Sequence, residues 1–118
     1  MIVFSLLVFA FSGNLLLHET STGYFVSIGC GDSMEPSYES GDLLLNNGEY
    51  DSIQKGDVVL YIDEGGTSVH HRIIEVDKSR EDPYLIRGDN NQASDGWYSE
   101  DDIKSKLIVQ IFNVKQLC

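Results

Sequence analysis

The chain has 118 residues, 19 of them acidic and 8 of them Lys or Arg, for a formal net charge of −11. That length suits one domain with a modest core, and 42% hydrophobic residues argue against disorder. The acidic balance argues against a nucleic acid partner and fits either a surface kept soluble where salt screens charge or simply an acidic protein.

Residues 1–17 carry no charged side chain, and the most apolar part is Met1 to Phe11. As a helix, this stretch would reach roughly 26 Å, just short of a hydrocarbon core. Ser12, Gly13 and Asn14 interrupt the helical pattern. Three readings are open: a short membrane anchor, a cleaved signal peptide with Ala10 and Ser12 near the cut, or a buried strand or helix of the core. The usual basic start of a signal peptide is absent, and the first Lys or Arg is Lys55, so charge gives no membrane orientation. Residues 18–23 read as a polar linker with His18 exposed, and residues 24–118 as one β domain.

From Tyr24 on, short β-prone runs alternate with turn signals. The expected strands are Tyr24–Ile28, Asp42–Asn46, Asp57–Ile62, Ser68–Val76, Tyr84–Arg87 and Leu107–Asn113. Turns fall at Asn47-Gly48, Lys55-Gly56, Gly65-Gly66 and Asp82-Pro83. Residues 63–67 form a hairpin loop joining the third expected strand to the fourth. The expected exception is a short helix from Glu100 to Lys106, with Ser99 as its N-cap and Asp102 at the third helical position. The fold class is therefore mainly β and antiparallel, with a candidate membrane segment at the N-terminus.

The stretch with most chemistry runs from Cys30 to Asp42. Gly29 and Gly31 free the backbone after a strand, Ser33 comes next, and Pro36 fixes φ just beyond. Such punctuation can hold a serine hydroxyl exposed at a strand end. A serine hydroxyl is a poor nucleophile and needs a base, which in turn needs an orienting group. His70 and His71 are adjacent on a strand and point to opposite faces, so only one of them can reach Ser33. Alternation does not choose between them. Asp89 and Asp95 are the candidate carboxylates. The cysteines, Cys30 and Cys118, match no metal spacing. One disulfide is compatible with an oxidising compartment, but spacing cannot place the sulfurs. The simpler expectation is Cys30 as a small buried apolar side chain and Cys118 at a frayed end. A metal site built from His18, Cys30, His70 or His71 has poor spacing.

Three segments resemble motifs of one family in order. Ser33-Met34-Glu35-Pro36, then Gly41-Asp42, resembles the nucleophile box of the type I signal peptidases. His71-Arg72 resembles the second box as archaeal and endoplasmic-reticulum members carry it, with a histidine where bacterial members carry a lysine base. Arg87-Gly88-Asp89-Asn90-Asn91 with Asp95 resembles the third. The resemblance covers roughly residues 24 to 113. It implies Ser33 as nucleophile, His71 as general base and Asp95 as the carboxylate that orients it. Asp89 and Arg72 are implied in support, with Asp89 organising the loop or holding Arg72. The Ser33 backbone N–H is the implied oxyanion donor, and no metal or organic cofactor is implied. The implied partners are secretory preproteins, cut after small residues, and the membrane, with the catalytic domain on the extracytoplasmic side.

The sequence departs from the family at Gly31, where many members have a serine, and at Asp32, where glycine is usual. A missing oxyanion donor costs about 2.7–4 kcal/mol in the transition state. A same-fold peptidase with another precursor, or a binding module that kept the fold, are the rival expectations.

Overall fold

A computed structural model describes residues 8–11, 14–17 and 23–118 of the chain. Its strands are β1 (Val8–Phe11), β2 (Asn14–Leu17), β3 (Tyr24–Gly29), β4 (Asp42–Asn47), β5 (Val58–Ile62), β6 (Ser68–Val76), β7 (Tyr84–Arg87), β8 (Gly96–Tyr98) and β9 (Ile103–Asn113). They form one antiparallel sheet in the order β1-β2-β3-β4-β9-β5-β6-β7-β8. The mainly β expectation holds. The anchor expected over 1–17 and the linker over 18–23 fall largely outside the described residues. The described part of residues 1–17 is β1 and β2, a hairpin whose second strand pairs with β3. Among the described residues, no helix is long and apolar enough to cross a membrane.

The long strand β9 joins the two halves of the sheet. Residues from 103 to 106 pair with β5, and those from 106 to 113 pair with β4. Strand alternation sorts the side chains by face. In β9, Ile103 and Ser105 are buried, whereas Lys104 is exposed. The main apolar cluster is Ile53, Val59, Tyr61, Ile73, Tyr84, Ile86, Tyr98 and Ile103. A second cluster, Met34, Tyr38, Leu44 and Val58, sits beneath the Ser33 loop.

Two expectations need correction. The helix expected over Glu100 to Lys106 is only a 3-10 turn, Glu100–Asp102, and the chain then enters β9. The cap itself is present, since the Asp102 carboxylate accepts from both the N–H and the hydroxyl of Ser99, each at 3.1 Å. The alternation of Ile103, Lys104, Ser105 and Lys106 has period two, and pairing with β5 extends it as a strand. The other correction concerns the cysteines. Cys30 and Cys118 form a disulfide with a Cα–Cα distance of 5.6 Å.

The C-terminal tail therefore clasps the base of the serine loop. The Val114 N–H donates to the Gly41 carbonyl, and Asn113 Nδ2 donates to the Ser40 carbonyl at 3.0 Å and to Asp42 Oδ1 at 2.7 Å. Gly41 has φ +92°, and a Cβ there would lie 2.8 Å from the Lys115 backbone, so glycine is required where tail and loop meet. The disulfide closes a loop spanning a sequence separation of 88. Replacing both cysteines by serine is expected to lower stability by about 2–4 kcal/mol, because the unfolded chain regains that loop's freedom. Urea denaturation of the oxidised protein against the double variant measures it, and equal midpoints would contradict the clasp.

Candidate active site

The site forms where the loop after β3, the start of β6 and the segment between β7 and β8 meet. The β5–β6 hairpin sets the first alignment. Its loop is closed by the Asp63 N–H donating to Thr67 O and by Asp63 Oδ1 accepting from the N–H groups of Gly65 and Thr67. That closure pairs Val59 with His71 and Tyr61 with Val69, so these side chains share one face. His70 falls on the other face, buried against Asn46 Oδ1 at 3.1 Å and Ser27 Oγ at 3.4 Å. Burial, and secondarily the neighbouring His71, push its pKa down to about 3, so His70 is neutral.

Ser33 sits in a tight turn. The Glu35 N–H donates to Asp32 O at 3.1 Å, and the Ser37 N–H donates to Met34 O at 2.8 Å. Met34 is buried below and accepts the Asp89 N–H on its sulfur at 3.4 Å. A second loop closes over the serine: the Asn90 N–H donates to Ser33 O at 2.7 Å, and Asn90 Nδ2 donates to Asp32 O at 3.1 Å. Gly88 permits this approach, because a Cβ there would lie 2.8 Å from Ser33 O and 3.0 Å from His71 Nε2.

The result is a line of three side chains. Ser33 Oγ lies 2.9 Å from His71 Nε2, and His71 Nδ1 lies 2.5 Å from Asp95 Oδ2. All three are at least partly withdrawn from solvent, and His71 is buried. Asp95 is anchored through its backbone, whose N–H donates to Ile86 O at 2.7 Å. With Nδ1 donating to the carboxylate, Nε2 is free to accept the serine proton, the tautomer a general base needs.

Asp89 stands apart from this line. Arg72 donates to it as a fork, from Nε to Oδ1 and from Nη2 to Oδ2, each at 2.8 Å. The Ser37 hydroxyl also donates to Asp89, and Arg72 Nη1 reaches Gly56 O at 2.8 Å. The Arg72 hydrogen bonds hold the Asp89 carboxyl below its usual range, and Asp89 in turn raises Arg72. The pair ties the serine loop, β6 and the Gly88–Asn91 turn together.

At Gly31, the backbone has φ +102° and its N–H donates to Ser40 Oγ at 3.0 Å. Asp32 is exposed to solvent. Trp97 is half-buried under Arg80, whose guanidinium lies 4.1 Å from the ring centroid, and Tyr98 is buried. Sequence reasoning missed Tyr61, whose hydroxyl donates to Asp95 Oδ2 at 2.6 Å. The signal was available in part, because the hairpin loop makes Tyr61 a diagonal neighbour of His71.

A cleft of about 250 Å³ opens beside Ser33. Its lining comes from the end of β3 and the loop after it (Gly29, Cys30, Gly31, Ser33, Met34, Tyr38) and from Thr67 and the start of β6 (Ser68, Val69, His70, His71).

No family model and no solved structure matches the chain. It is 36% identical over 76 residues to signal peptidase I W of Bacillus subtilis, covering 62% of this chain and 40% of that protein. It is 38% identical over 65 residues to the signal peptidase complex catalytic subunit SEC11 of Yarrowia lipolytica, covering 53% and 38% respectively. The chain thus spans about two fifths of the length of these curated relatives. Over the matched residues, these alignments support the signal peptidase I family for this chain.

Proposed function

We propose that the chain is a membrane-associated serine endopeptidase of the archaeal and endoplasmic-reticulum type, which removes signal peptides from secretory preproteins after small residues. The observation that carries this reading is the Ser33–His71–Asp95 line, with contacts of 2.9 Å and 2.5 Å. His71 Nε2 takes the Ser33 proton as Oγ attacks the scissile carbonyl, and the developing oxyanion faces the Ser33 N–H. Asp95 stabilises the imidazolium. His71 then returns the proton to the leaving amine, and a water that it activates hydrolyses the acyl-enzyme.

The cleft of about 250 Å³ beside Ser33 is where the substrate segment would lie. Two observations support the membrane and an extracytoplasmic placement. The Cys30–Cys118 disulfide fits an oxidising compartment. The outer half of β9 exposes Ile108, Val109, Ile111 and Phe112, and the stretch from 103 to 118 carries Lys104, Lys106 and Lys115 but no acidic residue. That exposed apolar strip suits a lipid surface.

The test is cleavage of a model preprotein in detergent across a range of salt concentrations. One cut after a small residue is expected, and it is lost when that substrate residue becomes Phe. The second reading, a binding relative without catalysis, is favoured by Gly31, which offers no side-chain hydroxyl as a second oxyanion donor. Absence of cleavage at every salt concentration would replace the first reading with the second.

A further inference from the structure

Asp95 Oδ2 receives two donors at once. His71 Nδ1 lies 2.5 Å away and the Tyr61 hydroxyl 2.6 Å away. Tyr61 is 2% exposed, and its ring packs on Tyr98 with centroids 4.5 Å apart. The ring alone fills the core, and phenylalanine would fill the same space. The hydroxyl therefore has a separate consequence, and it falls on the oxygen that faces the candidate base.

We infer that Tyr61 is a positioning residue acting through Asp95: its hydroxyl draws charge from Oδ2 and so sets the pH at which His71 takes up a proton. The inference rests on the peptidase reading for its link to catalysis, but its electrostatic core does not. A carboxylate oxygen shared with a neutral donor stabilises a neighbouring cation less than an unshared one. Burial, and after it the hydrogen bond to Asp95, raises the Tyr61 pKa well above the ordinary phenol value, so the hydroxyl stays protonated and remains a donor. Asp95 is held independently by its backbone bond to Ile86 and by His71, so removing the hydroxyl leaves the carboxylate in place with more charge on Oδ2. The other titratable groups around the trio are His70, which is neutral, Tyr98, which packs on the Tyr61 ring and also shares a side-chain hydrogen bond with Tyr61, and Asp63 and Glu64 at longer range. None of these donates to Oδ2 in the described structure, so Tyr61 and His71 share that oxygen between them.

The experiment is an NMR titration of the His71 ring in the whole protein and in Tyr61→Phe, together with the pH dependence of kcat and KM. The His71 midpoint is expected to rise by about 0.5–1 unit in the variant. On the acidic side of the midpoint, kcat then falls about three- to tenfold, while the alkaline plateau and KM change little. A purely structural tyrosine would lower activity at every pH or not at all. An unchanged or lowered midpoint overturns the inference, provided that thermal unfolding shows the variant folded. If the variant does not fold, Tyr61→3-fluorotyrosine, a stronger donor of nearly equal size, replaces it. The midpoint is then expected to fall, and a midpoint that stays put or rises overturns the inference. The titration needs no substrate. If neither protein cleaves a preprotein but the midpoint moves as expected, the coupling stands and the peptidase reading fails.

Discussion

Ser33→Ala is expected to reduce preprotein cleavage by about 10⁶-fold, to background, with binding of the preprotein retained. That factor corresponds to about 8 kcal/mol of transition-state stabilisation. The size reflects which atom is removed. Ser33 Oγ is the atom placed 2.9 Å from His71 Nε2. The nearby Ser37 hydroxyl cannot take over, because it is engaged by Asp89 and Arg72. The change should barely affect folding. Ser33 is only half-buried, and the loop around it is held by backbone bonds and by the buried Met34, none of which uses Oγ. The measurement is single-turnover cleavage, with unfolding midpoints recorded alongside. If Ser33→Ala keeps a substantial part of wild-type activity, Ser33 is not the nucleophile. If neither protein cuts but both bind the preprotein equally, the binding-module reading takes over.

How much of this was legible before the fold was known differs by element. The hairpin was readable because Asp63, Gly65, Gly66 and Thr67 are strong turn residues, and its closure brings His71 and Val59 together. Strand alternation then required that His70 and His71 diverge, as they do. It could not say which one faces Ser33, because that depends on which face of β6 the serine loop crosses. The family motif supplied that choice, and likewise Asp95 over Asp89. The three-residue β8 was missed because Gly96–Tyr98 is too short for alternation to show. The start of β9 reads as a helix in the sequence because Ser99 and Asp102 form a genuine cap. A cap begins one turn and does not determine whether the next residues continue it. Spacing points away from the disulfide because its partners come together only when β9 carries the tail back to the serine loop. Tyr61 looked like a core aromatic, and its ring is one; the hydroxyl acquires a role only once the segment before β8 brings Asp95 beside it.

Asp95→Asn is expected to lower kcat by about 10⁴-fold, whereas Asp89→Asn lowers it by no more than about tenfold and acts mainly on stability. The two carboxylates have different partners. Asp95 Oδ2 accepts from His71 Nδ1 and from Tyr61. An amide in its place removes the negative charge that balances the imidazolium. If its nitrogen faces His71, it also forces the tautomer that carries the proton on Nε2, where the Ser33 proton must go. Either outcome disables the base without disturbing the packing, so KM and the unfolding midpoint should stay near wild type. Asp89 instead takes the Arg72 fork and the Ser37 hydroxyl. The Arg72 bonds keep its pKa low, so the ion pair persists down to acidic pH and weakens only as Asp89 is protonated. Asparagine halves the fork and leaves Arg72 without its counter-charge. The pair is partly exposed, with side-chain exposures of 32% and 18% for Arg72 and Asp89, so solvent screens it and the cost should be about 1 kcal/mol. Steady-state kinetics and urea unfolding of both variants decide between the carboxylates. If Asp89→Asn abolishes turnover while Asp95→Asn keeps it, the roles are reversed. The contact between His71 Nδ1 and Asp95 would then serve the fold rather than the chemistry, because a catalytic orienting group cannot be neutralised without loss of the base it holds.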